Sequence, residues 1–337
     1  MQNNLPRLGT AAIVNRKELE ALIAGYKYKP YYYEKLIDRE KRDSYFMRRV
    51  DQASNLCFLR NSEKPPALIG VGSWRESKWD TVNIKLKTAC VDFLIVGDGS
   101  FAHQAKRCDR LYSALETDLE KHEFEYISCR TNASNLPVIH VLQERGYHVV
   151  DGLLIYSLAV KQNPNKFGKK FDIEIREMQE SDLPAVRQIA STSFVYDRFH
   201  SDPAIPNQTA DQLHANWIED SFKRNANDRV LVATKNGTAF GFVSYSVNRE
   251  MNQSLGIKIL NIILLATHVE SRNRGVANLL IQEVLELARM EGFDAVQVGT
   301  QLRNIKAARL YQQFNFQLVD TSYSFRKLMP RFHGRNG

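Results

Sequence analysis

The chain has 337 residues, of which 43% are hydrophobic and 25% are charged, with 17 glycines and 10 prolines. This length suits two domains better than one, and the composition is typical of a globular protein. Together they exclude a disordered chain, a collagen-like repeat and a small scaffold held by disulfides.

No feature of the sequence indicates a membrane protein or a metalloprotein. The longest apolar run, Ile259 to Ala266, is interrupted by Asn261 and is far shorter than the roughly 20 residues that span a bilayer. The opening residues lack the basic-then-apolar layout of a signal peptide. The four cysteines are far apart and form no Cys-x-x-Cys pair: Cys57, Cys90, Cys108 and Cys129. We therefore expect a cytoplasmic protein with reduced thiols and no metal.

The net charge of +8 comes from two short stretches. Residues 161–170 contain four lysines, residues 326–337 contain four arginine and lysine residues, and neither stretch contains an acidic residue. Because the rest of the chain is formally neutral, the charge is not spread over a face that could cover a duplex. We expect no nucleic-acid partner.

The two halves of the chain repeat each other. A shift of 169 residues aligns residues 124–151 with 293–320 without a gap and with six identities. Both segments are typical of a strand, a loop, a helix, a tight turn and a strand. The same shift pairs Val91–Val96 with Leu260–Leu265, and a helical pattern follows in each half. The sequence therefore predicts a duplication.

The alternation of strands and helices predicts an α/β fold in each half, with a mixed, twisted sheet flanked by helices. Residues 161–170 are rich in lysine and asparagine and predict a linker. The predicted domains are therefore residues 1–160 and residues 171–330.

The segment after Ile259–Ala266 has the pattern of an anion-binding turn. Arg272-x-x-Gly275-x-Ala277 leads directly into an amphipathic helix. The N–H groups of a first helical turn are unpaired, and the helix dipole adds partial positive charge. Arg274 adds a further full charge, while Gly275 and Ala277 leave room for a phosphate. The pattern is neither a P-loop nor a dinucleotide-binding fingerprint. The alternative is an ordinary strand–helix turn with solvent-facing arginines.

This turn resembles the (Gln/Arg)-x-x-Gly-x-(Gly/Ala) motif of the GNAT acyltransferases, whose backbone amides hold the pyrophosphate of coenzyme A. Residues 173–190 resemble the first strand and helix of that family, and residues 230–247 resemble its second and third strands. The spacing Asn304-x6-Tyr311 resembles its final helix. The resemblance covers about residues 171–328 and implies that both domains are GNAT-like.

At the 169-residue shift the first half loses this motif. The arginine, glycine and alanine of the motif align with His103, Lys106 and Cys108, and Tyr311 aligns with Leu142. Residues 1–160 therefore resemble a degenerate copy, whose expected role is to shape a substrate pocket.

The resemblance implies an acyl-CoA-dependent N-acyltransferase that uses acetyl-CoA or another acyl-CoA and transfers the acyl group directly in a ternary complex. The residues that it places at the coenzyme lie on the strand, the turn and the final helix: Leu265, Thr267, Arg272, Arg274, Gly275, Val276, Ala277 and Asn304.

Tyr311 occupies the position of the usual proton donor of the family. A phenol with a pKa of about 10 stays protonated at neutral pH and can protonate a thiolate with a pKa of about 8.5. The alternative is a tyrosine that packs against the sheet.

The predicted general base is Asp92, in the apolar strand Thr88–Val96. A carboxylate there is costly unless it is paired or faces a cavity. The matching residue of the second half, at the same shift, is Asn261, which cannot act as a base. The alternatives are a hydrogen-bonded structural aspartate at this position, and His200 as the base.

Residues 194–221 resemble a segment of the acyltransferases that modify dTDP-4-amino-4,6-dideoxy sugars, the dTDP-fucosamine acetyltransferase type. The likeness rests on Arg198-Phe199-His200, Pro206, Trp217-Ile218-Glu219 and Thr300-Gln301. It implies a nucleotide-sugar acceptor that contacts Arg198, His200 and Trp217, with Arg198 on the diphosphate. The alternative is that Arg198 pairs locally and Trp217 belongs to the core.

Two other functions stay open from the sequence. One is another tandem GNAT acetyltransferase, of the mycothiol-synthase or peptide N-acetyltransferase type, and the other is a GNAT pair that senses a ligand without catalysis. The retained motif and Tyr311 favour an enzyme, and residues 194–221 favour the amino sugar. The sugar, the acyl group and the oligomeric state are not predicted.

Overall fold

The structure is a computed structural model that describes most of the chain. The described ranges are 7–9, 14–162, 173–224 and 228–330. Residues 163–170 of the predicted linker and residues 331–337 of the basic tail lie outside them. Among the described helices, none is long and apolar enough to cross a membrane.

Contacts between residues divide the chain into two units. The first comprises residues 1–150 and 321–337, and the second comprises residues 151–320. Each unit has a mixed sheet with helices on both of its faces, so the predicted α/β class is confirmed.

The sheet of the first unit has the order β1-β2-β3-β4-β5-β12. Its strands are β1 (Arg7–Gly9), β2 (Asn55–Arg60), β3 (Leu68–Glu76), β4 (Thr88–Val96), β5 (Tyr126–Asn132) and β12 (Gln317–Leu328) from residue 321 onward. β4 and β5 are parallel, and the other neighbours are antiparallel. Its helices are α1 (Arg16–Gly25), α2 (Arg39–Asp51), α3 (Lys78–Ile84), α4 (Phe101–Lys121) and α5 (Leu136–Glu144).

Strand β2 shows how this sheet is covered. Leu56 and Phe58 pack with α1 and α2, whereas Cys57 and Leu59 pack with α4 and α5. Successive side chains of a strand point to opposite faces, so a continuous apolar run serves two cores.

The sheet of the second unit has the order β7-β8-β9-β10-β11-β6. Its strands are β6 (His148–Ala159) from residue 151 onward, β7 (Glu174–Glu177), β8 (Asp228–Lys235), β9 (Thr238–Ser246), β10 (Ile259–Thr267) and β11 (Ala295–Gln301). β10 and β11 are parallel. Its helices are α6 (Leu183–Ser193), α7 (Asn207–Arg224), α8 (Arg249–Leu255), α9 (Val276–Met290) and α10 (Ile305–Gln313).

The second sheet is covered in the same way. Val230 and Val232 of β8 pack with α6 and α7, whereas Leu231 and Ala233 pack with α9 and α10. The amphipathic pattern after Gly275 places one face of α9 in this second core, as the sequence predicts.

Each sheet is completed by a strand from the other half of the sequence. Residues 322–328 of β12 pair with β5, and residues 153–159 of β6 pair with β11. The structural division therefore falls after residues 150 and 320, whereas the sequence analysis placed the first domain at 1–160 and the second at 171–330. Strands β6 and β12 occupy equivalent positions in the two halves of the repeat. Their apolar patterns therefore do not indicate which sheet each strand joins.

Candidate active site

Strands β10 and β11 separate partway along their length. Four residue pairs, from Ile259 with Ala295 to Ile262 with Val298, join them. β10 then continues to Thr267 without further pairing to β11 among the described residues. The separation opens one edge of β10, and an extended ligand can add to such an edge by main-chain hydrogen bonds.

A β-bulge follows immediately in β10. The pairing with β9 skips Ile263, because Ile262 faces Tyr245 and Leu264 faces Ser244. The N–H of Leu264 donates to Oγ of Ser244 at 3.1 Å. Bulges redirect the strand and are common beside active sites.

The first unit has the equivalent bulge at Asp92. Thr88–Val91 of β4 pair with β5, and the pairing of β4 with β3 skips Asp92. The counterpart of Asp92 is therefore Ile263, and the match to Asn261 made by the 169-residue shift is wrong. Val91 pairs with Cys129 in the first unit, and Ile262 pairs with Val298 in the second. The shift that relates β4 to β10 is therefore two residues longer than the 169-residue shift that relates β5 to β11.

The turn between β10 and α9 presents open helix N–H groups. Gly275 is the N-cap residue of α9 with a φ of 78°, and a glycine has no side chain with which to cap the helix. Since first-turn N–H groups lack an intrahelical partner, those that follow Gly275, beginning with Val276 and Ala277, face an anion site. Arg272 and Arg274 are exposed in the same turn. The arrangement fits a phosphate group.

A second glycine sets how closely α9 approaches the sheet. A Cβ on Gly241 of β9 would lie 2.9 Å from Cγ1 of Val276. Gly241 also pairs with Thr267, the last residue of β10. The end of the strand and the start of the helix therefore meet at this glycine. No sequence pattern distinguishes this glycine, because an isolated glycine in a strand has several other uses.

In the first unit, a side chain of the unit itself caps the start of the corresponding helix, α4. Ser100 caps α4, and its Oγ accepts from the N–H of His103. Arg107 donates to the carbonyl oxygens of Gly97 and Asp98 at 2.9 and 2.8 Å. Three residues that the shift aligned with the motif lie inside this helix: His103, Lys106 and Cys108.

The remaining residues predicted at the coenzyme lie on β10 and α10. Leu265 and Thr267 are partly buried in the part of β10 that has left β11. Asn304 is the N-cap of α10, and its Oδ1 accepts from the N–H of Ala307 at 3.2 Å. Loss of such a cap costs about 1 kcal/mol, so Asn304 stabilises the helix that carries Tyr311.

Tyr311 is buried between α10 and the sheet. It is 4% exposed, and its ring centroid lies 5.9 Å from those of Tyr156 and Phe316. Burial raises the pKa of Tyr311 above its ordinary value. The hydroxyl therefore stays protonated at neutral pH, as a proton donor requires, although the same burial suits a packing role.

Asp92 is paired and also faces a cavity. Its Oδ1 accepts from Nε of Arg75 at 2.8 Å, and its side chain is 17% exposed. Burial raises the pKa of Asp92 and the guanidinium lowers it, and the balance is a raised pKa. The cavity, of about 100 Å³, is also lined by Tyr26, Arg49 and Arg130. A carboxylate in an apolar strand is tolerated where it is paired or faces a cavity. Asp92 meets both conditions within the first unit.

His200 is held between two aspartates. Its Nδ1 lies 2.6 Å from Oδ2 of Asp197, and its Nε2 lies 3.0 Å from Oδ1 of Asp211. Burial lowers the pKa of His200, but the two carboxylates outweigh burial and the net pKa is raised. An imidazolium that donates both N–H groups has no lone pair for a proton. The geometry therefore disfavours His200 as the general base.

His214 of α7 completes this cluster. Its Nδ1 lies 2.9 Å from the carbonyl oxygen of Ala210, and its Nε2 lies 3.7 Å from Oδ2 of Asp197. Its ring stacks on Phe194 with the centroids 4.7 Å apart. Burial lowers the pKa of His214, which favours the neutral ring. The sequence pattern does not indicate Asp197, Asp211 and His214, because only the fold brings them to His200.

The other two residues predicted to contact the acceptor substrate, Arg198 and Trp217, have different surroundings. Arg198 is partly buried, with its guanidinium 4.2 Å from the ring centroid of Phe199. Trp217 packs on the core between α6, α7 and the sheet, as its structural alternative predicts. Glu219 forms an ion pair with Arg187 of α6. Trp217 and Glu219 therefore help to hold α7 against the rest of the unit.

A larger cavity lies at the other end of α9. Its volume is about 650 Å³, and its lining includes Arg249, Lys258, Glu291 and Asp294. It contains none of the predicted site residues. Because it lies at the carboxyl end of α9, it is not a continuation of the turn at Gly275.

Known proteins share this architecture. Residues 183–316 match the Acetyltransferase (GNAT) family, a range that begins with α6 and ends before β12. A tandem GNAT protein from the clavulanic acid biosynthesis pathway has the same fold, with a TM-score of 0.59 and 12% identity, over 96% of this chain and 99% of its own.

Two relatives are similar in sequence. The spore coat polysaccharide biosynthesis protein SpsD of Bacillus subtilis strain 168 is 24% identical over 78% of this chain and 85% of its own length. The dTDP-fucosamine acetyltransferase of Escherichia coli O6:H1 is 29% identical over 58% of this chain and 79% of its own length.

Residues 183–316 of the second unit are thereby a GNAT acetyltransferase domain, which supports an N-acyltransferase. Members of this family use acyl-CoA as cosubstrate and transfer the acyl group to an acceptor. The recognition made from the turn at Arg272–Ala277 and from the final helix is confirmed.

Proposed function

We propose that the protein transfers an acetyl group, or another acyl group, from acyl-CoA to the amino group of a nucleotide-linked amino sugar. The favoured acceptor is a dTDP-4-amino-4,6-dideoxyhexose. The observation that carries the proposal is the uncapped start of α9 at Gly275, which lies beside a strand that has separated from its neighbour.

The proposed coenzyme site is built from backbone groups. The pyrophosphate accepts hydrogen bonds from the N–H groups that follow Gly275, where the helix dipole also favours an anion by up to about 2 kcal/mol. Arg272 and Arg274 add charge from the same turn. The pantetheine arm lies along the open edge of β10 at Leu265 and Thr267, and Asn304 borders the site from α10.

The proposed chemistry is direct attack of the neutral amine on the thioester carbonyl. A backbone N–H of the separated part of β10 donates to the oxyanion of the tetrahedral intermediate. Collapse of this intermediate breaks the carbon–sulfur bond, and Tyr311 donates its proton to the departing thiolate. Burial raises the pKa of Tyr311, so the hydroxyl carries its proton at neutral pH, and the same shift makes the phenol a weaker acid towards the thiolate.

The acceptor assignment rests on similarity and on charge. One relative acetylates dTDP-fucosamine according to its name, and the other takes part in spore coat polysaccharide biosynthesis. Arg198 is a partly exposed cation in the segment that resembles the sugar-binding part of such enzymes. A guanidinium pairs well with a diphosphate, in bidentate geometry.

The acceptor class is tested by thermal unfolding with dTDP-, UDP- and GDP-linked amino sugars, each with and without coenzyme A. We expect the dTDP-4-amino sugar to raise the Tm most, because ligands that bind only the folded state stabilise it. The matching sugars with a hydroxyl in place of the amine are the control. Stabilisation by none of the nucleotide sugars, with coenzyme A binding intact, would contradict the acceptor assignment.

Asp92 is the proposed general base, and its test is a pH profile. We expect Asp92→Asn to lower kcat/KM by about 10²–10⁴-fold and to remove the acidic limb of the profile. Since the guanidinium of Arg75 lowers the pKa of Asp92, Arg75→Met should move this limb to higher pH. The measurement is kcat/KM against pH, with coenzyme A binding as the check on folding.

His200→Gln is the comparison for Asp92→Asn. Because both ring nitrogens of His200 already face carboxylate oxygens, its replacement should leave the position of the acidic limb unchanged. An Asp92→Asn enzyme with the wild-type profile would remove Asp92 from the chemistry.

A further inference from the structure

The cluster of Asp197, His200 and His214 has the composition of a small metal site. One ligand atom of each residue lies within 4.8 Å of the others. Two imidazole nitrogens and a carboxylate oxygen are ligands that Zn²⁺ prefers. We propose that these three side chains bind one zinc ion, with a water molecule as the fourth ligand. This site goes beyond acyl transfer and replaces the expectation of no metal.

Both histidines are oriented as zinc-bound histidines usually are. Nε2 of His200 lies 3.0 Å from Oδ1 of Asp211, and Nδ1 of His214 lies 2.9 Å from the carbonyl oxygen of Ala210. Outer acceptors of this kind fix the ring orientation and the tautomer, and they make the inner nitrogen more basic. They leave Nδ1 of His200 and Nε2 of His214 directed towards Asp197.

Asp197 is fixed by its own backbone surroundings. Its Oδ1 accepts from the N–H groups of Phe199 and His200 at 2.8 and 3.2 Å. This holds Oδ2 towards the two rings, 2.6 Å from Nδ1 of His200 and 3.7 Å from Nε2 of His214. The three side chains are at most 10% exposed. The site is therefore shielded and pre-organised.

The spacing needs little adjustment for a metal. Tetrahedral zinc with bonds of about 2.0–2.1 Å places its ligand atoms roughly 3.3 Å apart. The distances of 2.6 and 3.7 Å bracket this value. The third pair, Nδ1 of His200 and Nε2 of His214, lies within 4.8 Å, and the zinc ion would take the place of the Nδ1 proton of His200.

The carboxylates around the cluster also favour a divalent cation. Asp197 lies 2.6 Å from Nδ1 of His200, and Asp211 lies 3.0 Å from its Nε2, so two carboxylates border a nearly buried site. A zinc ion bound by the two histidines balances the charge of these two carboxylates. It would also tie the segment after α6 to α7, since Asp197 and His200 precede α7 and His214 lies in it.

The test is zinc titration of the full-length, EDTA-treated chain against a chromophoric chelator. We expect one Zn²⁺ per chain and a zinc-dependent rise in Tm. His214→Gln and Asp197→Asn should each weaken zinc binding by more than about 100-fold. Asp211→Asn, which keeps all three ligands, should weaken it by roughly 10–100-fold. His148→Gln, an exposed histidine at the start of β6, is the control and should bind zinc normally.

Circular dichroism of each variant separates loss of the site from loss of the fold. Asp211 is 44% exposed, so Asp211→Asn still reports on the site if a buried variant unfolds. Zinc affinity that is unchanged in Asp211→Asn and in the folded ligand variants would overturn the proposal. So would a wild-type chain that binds no Zn²⁺ at micromolar concentration, and the cluster would then be an ion-pair network alone.

Discussion

Replacing Gly275 by glutamate is expected to abolish coenzyme A binding. The side chain would place a carboxylate at the start of α9, where the pyrophosphate accepts hydrogen bonds from the helix N–H groups. We expect the wild-type chain to bind one coenzyme A, because Ser100 caps α4 in the first unit, whereas the N-cap residue of α9 in the second unit is a glycine without a side chain. Titration calorimetry should show at least about a 100-fold loss of affinity, or about 2.8 kcal/mol.

Two matched variants separate charge from backbone strain. Gly275→Ala adds one methyl group and the strain of a left-handed residue, about 1–2 kcal/mol, but no charge, and should retain more binding than Gly275→Glu. Gly237→Glu introduces the same side chain at a φ of 77° in the open β8–β9 turn, away from the site. It should bind coenzyme A normally. Gly275→Glu with wild-type affinity, or two coenzyme A molecules per wild-type chain, would contradict the assignment.

Tyr311→Phe is expected to lower kcat by about 10²–10⁴-fold while coenzyme A affinity stays nearly unchanged. The substitution keeps the buried ring and removes the proton that the thiolate receives. The ring lies against Tyr156 and Phe316, so phenylalanine fills the same space. The measurement is steady-state kcat together with the Kd of coenzyme A.

Tyr156→Phe is the control for this variant. Tyr156 is 2% exposed and belongs to the same core, so this variant also removes a buried phenolic hydroxyl. It should retain most of the activity. If Tyr311→Phe also turns over at nearly the wild-type rate, Tyr311 is a packing residue and water protonates the thiolate.

Local features of the fold were predictable from the sequence. The turn at Gly275 combines a strand, a glycine and an amphipathic helix in one continuous segment, so its geometry follows from neighbouring residues. The same holds for Asn304, whose cap on α10 depends on a residue three positions away. The repeat predicted the shared element order of the two halves.

Features that depend on distant residues were not predictable in this way. Strands β6 and β12 each join a sheet formed by the other half of the sequence, which a periodic pattern does not reveal. The match of Asp92 to Asn261 failed because the register of a parallel pair, and not a constant shift, defines equivalence. The role of Gly241 depends on contact with Val276, and the partners of His200 are brought together only by folding.

Acylation of the amine of a nucleotide-linked sugar is detected by mass spectrometry of the turnover products. The chain is incubated with acetyl-CoA and a dTDP-4-amino-4,6-dideoxyhexose, and free thiol is measured in parallel. We expect one acetylated sugar for each coenzyme A released, and no product from the sugar with a hydroxyl in place of the amine. Release of coenzyme A without an acetylated sugar would contradict acylation of the sugar amine by this protein.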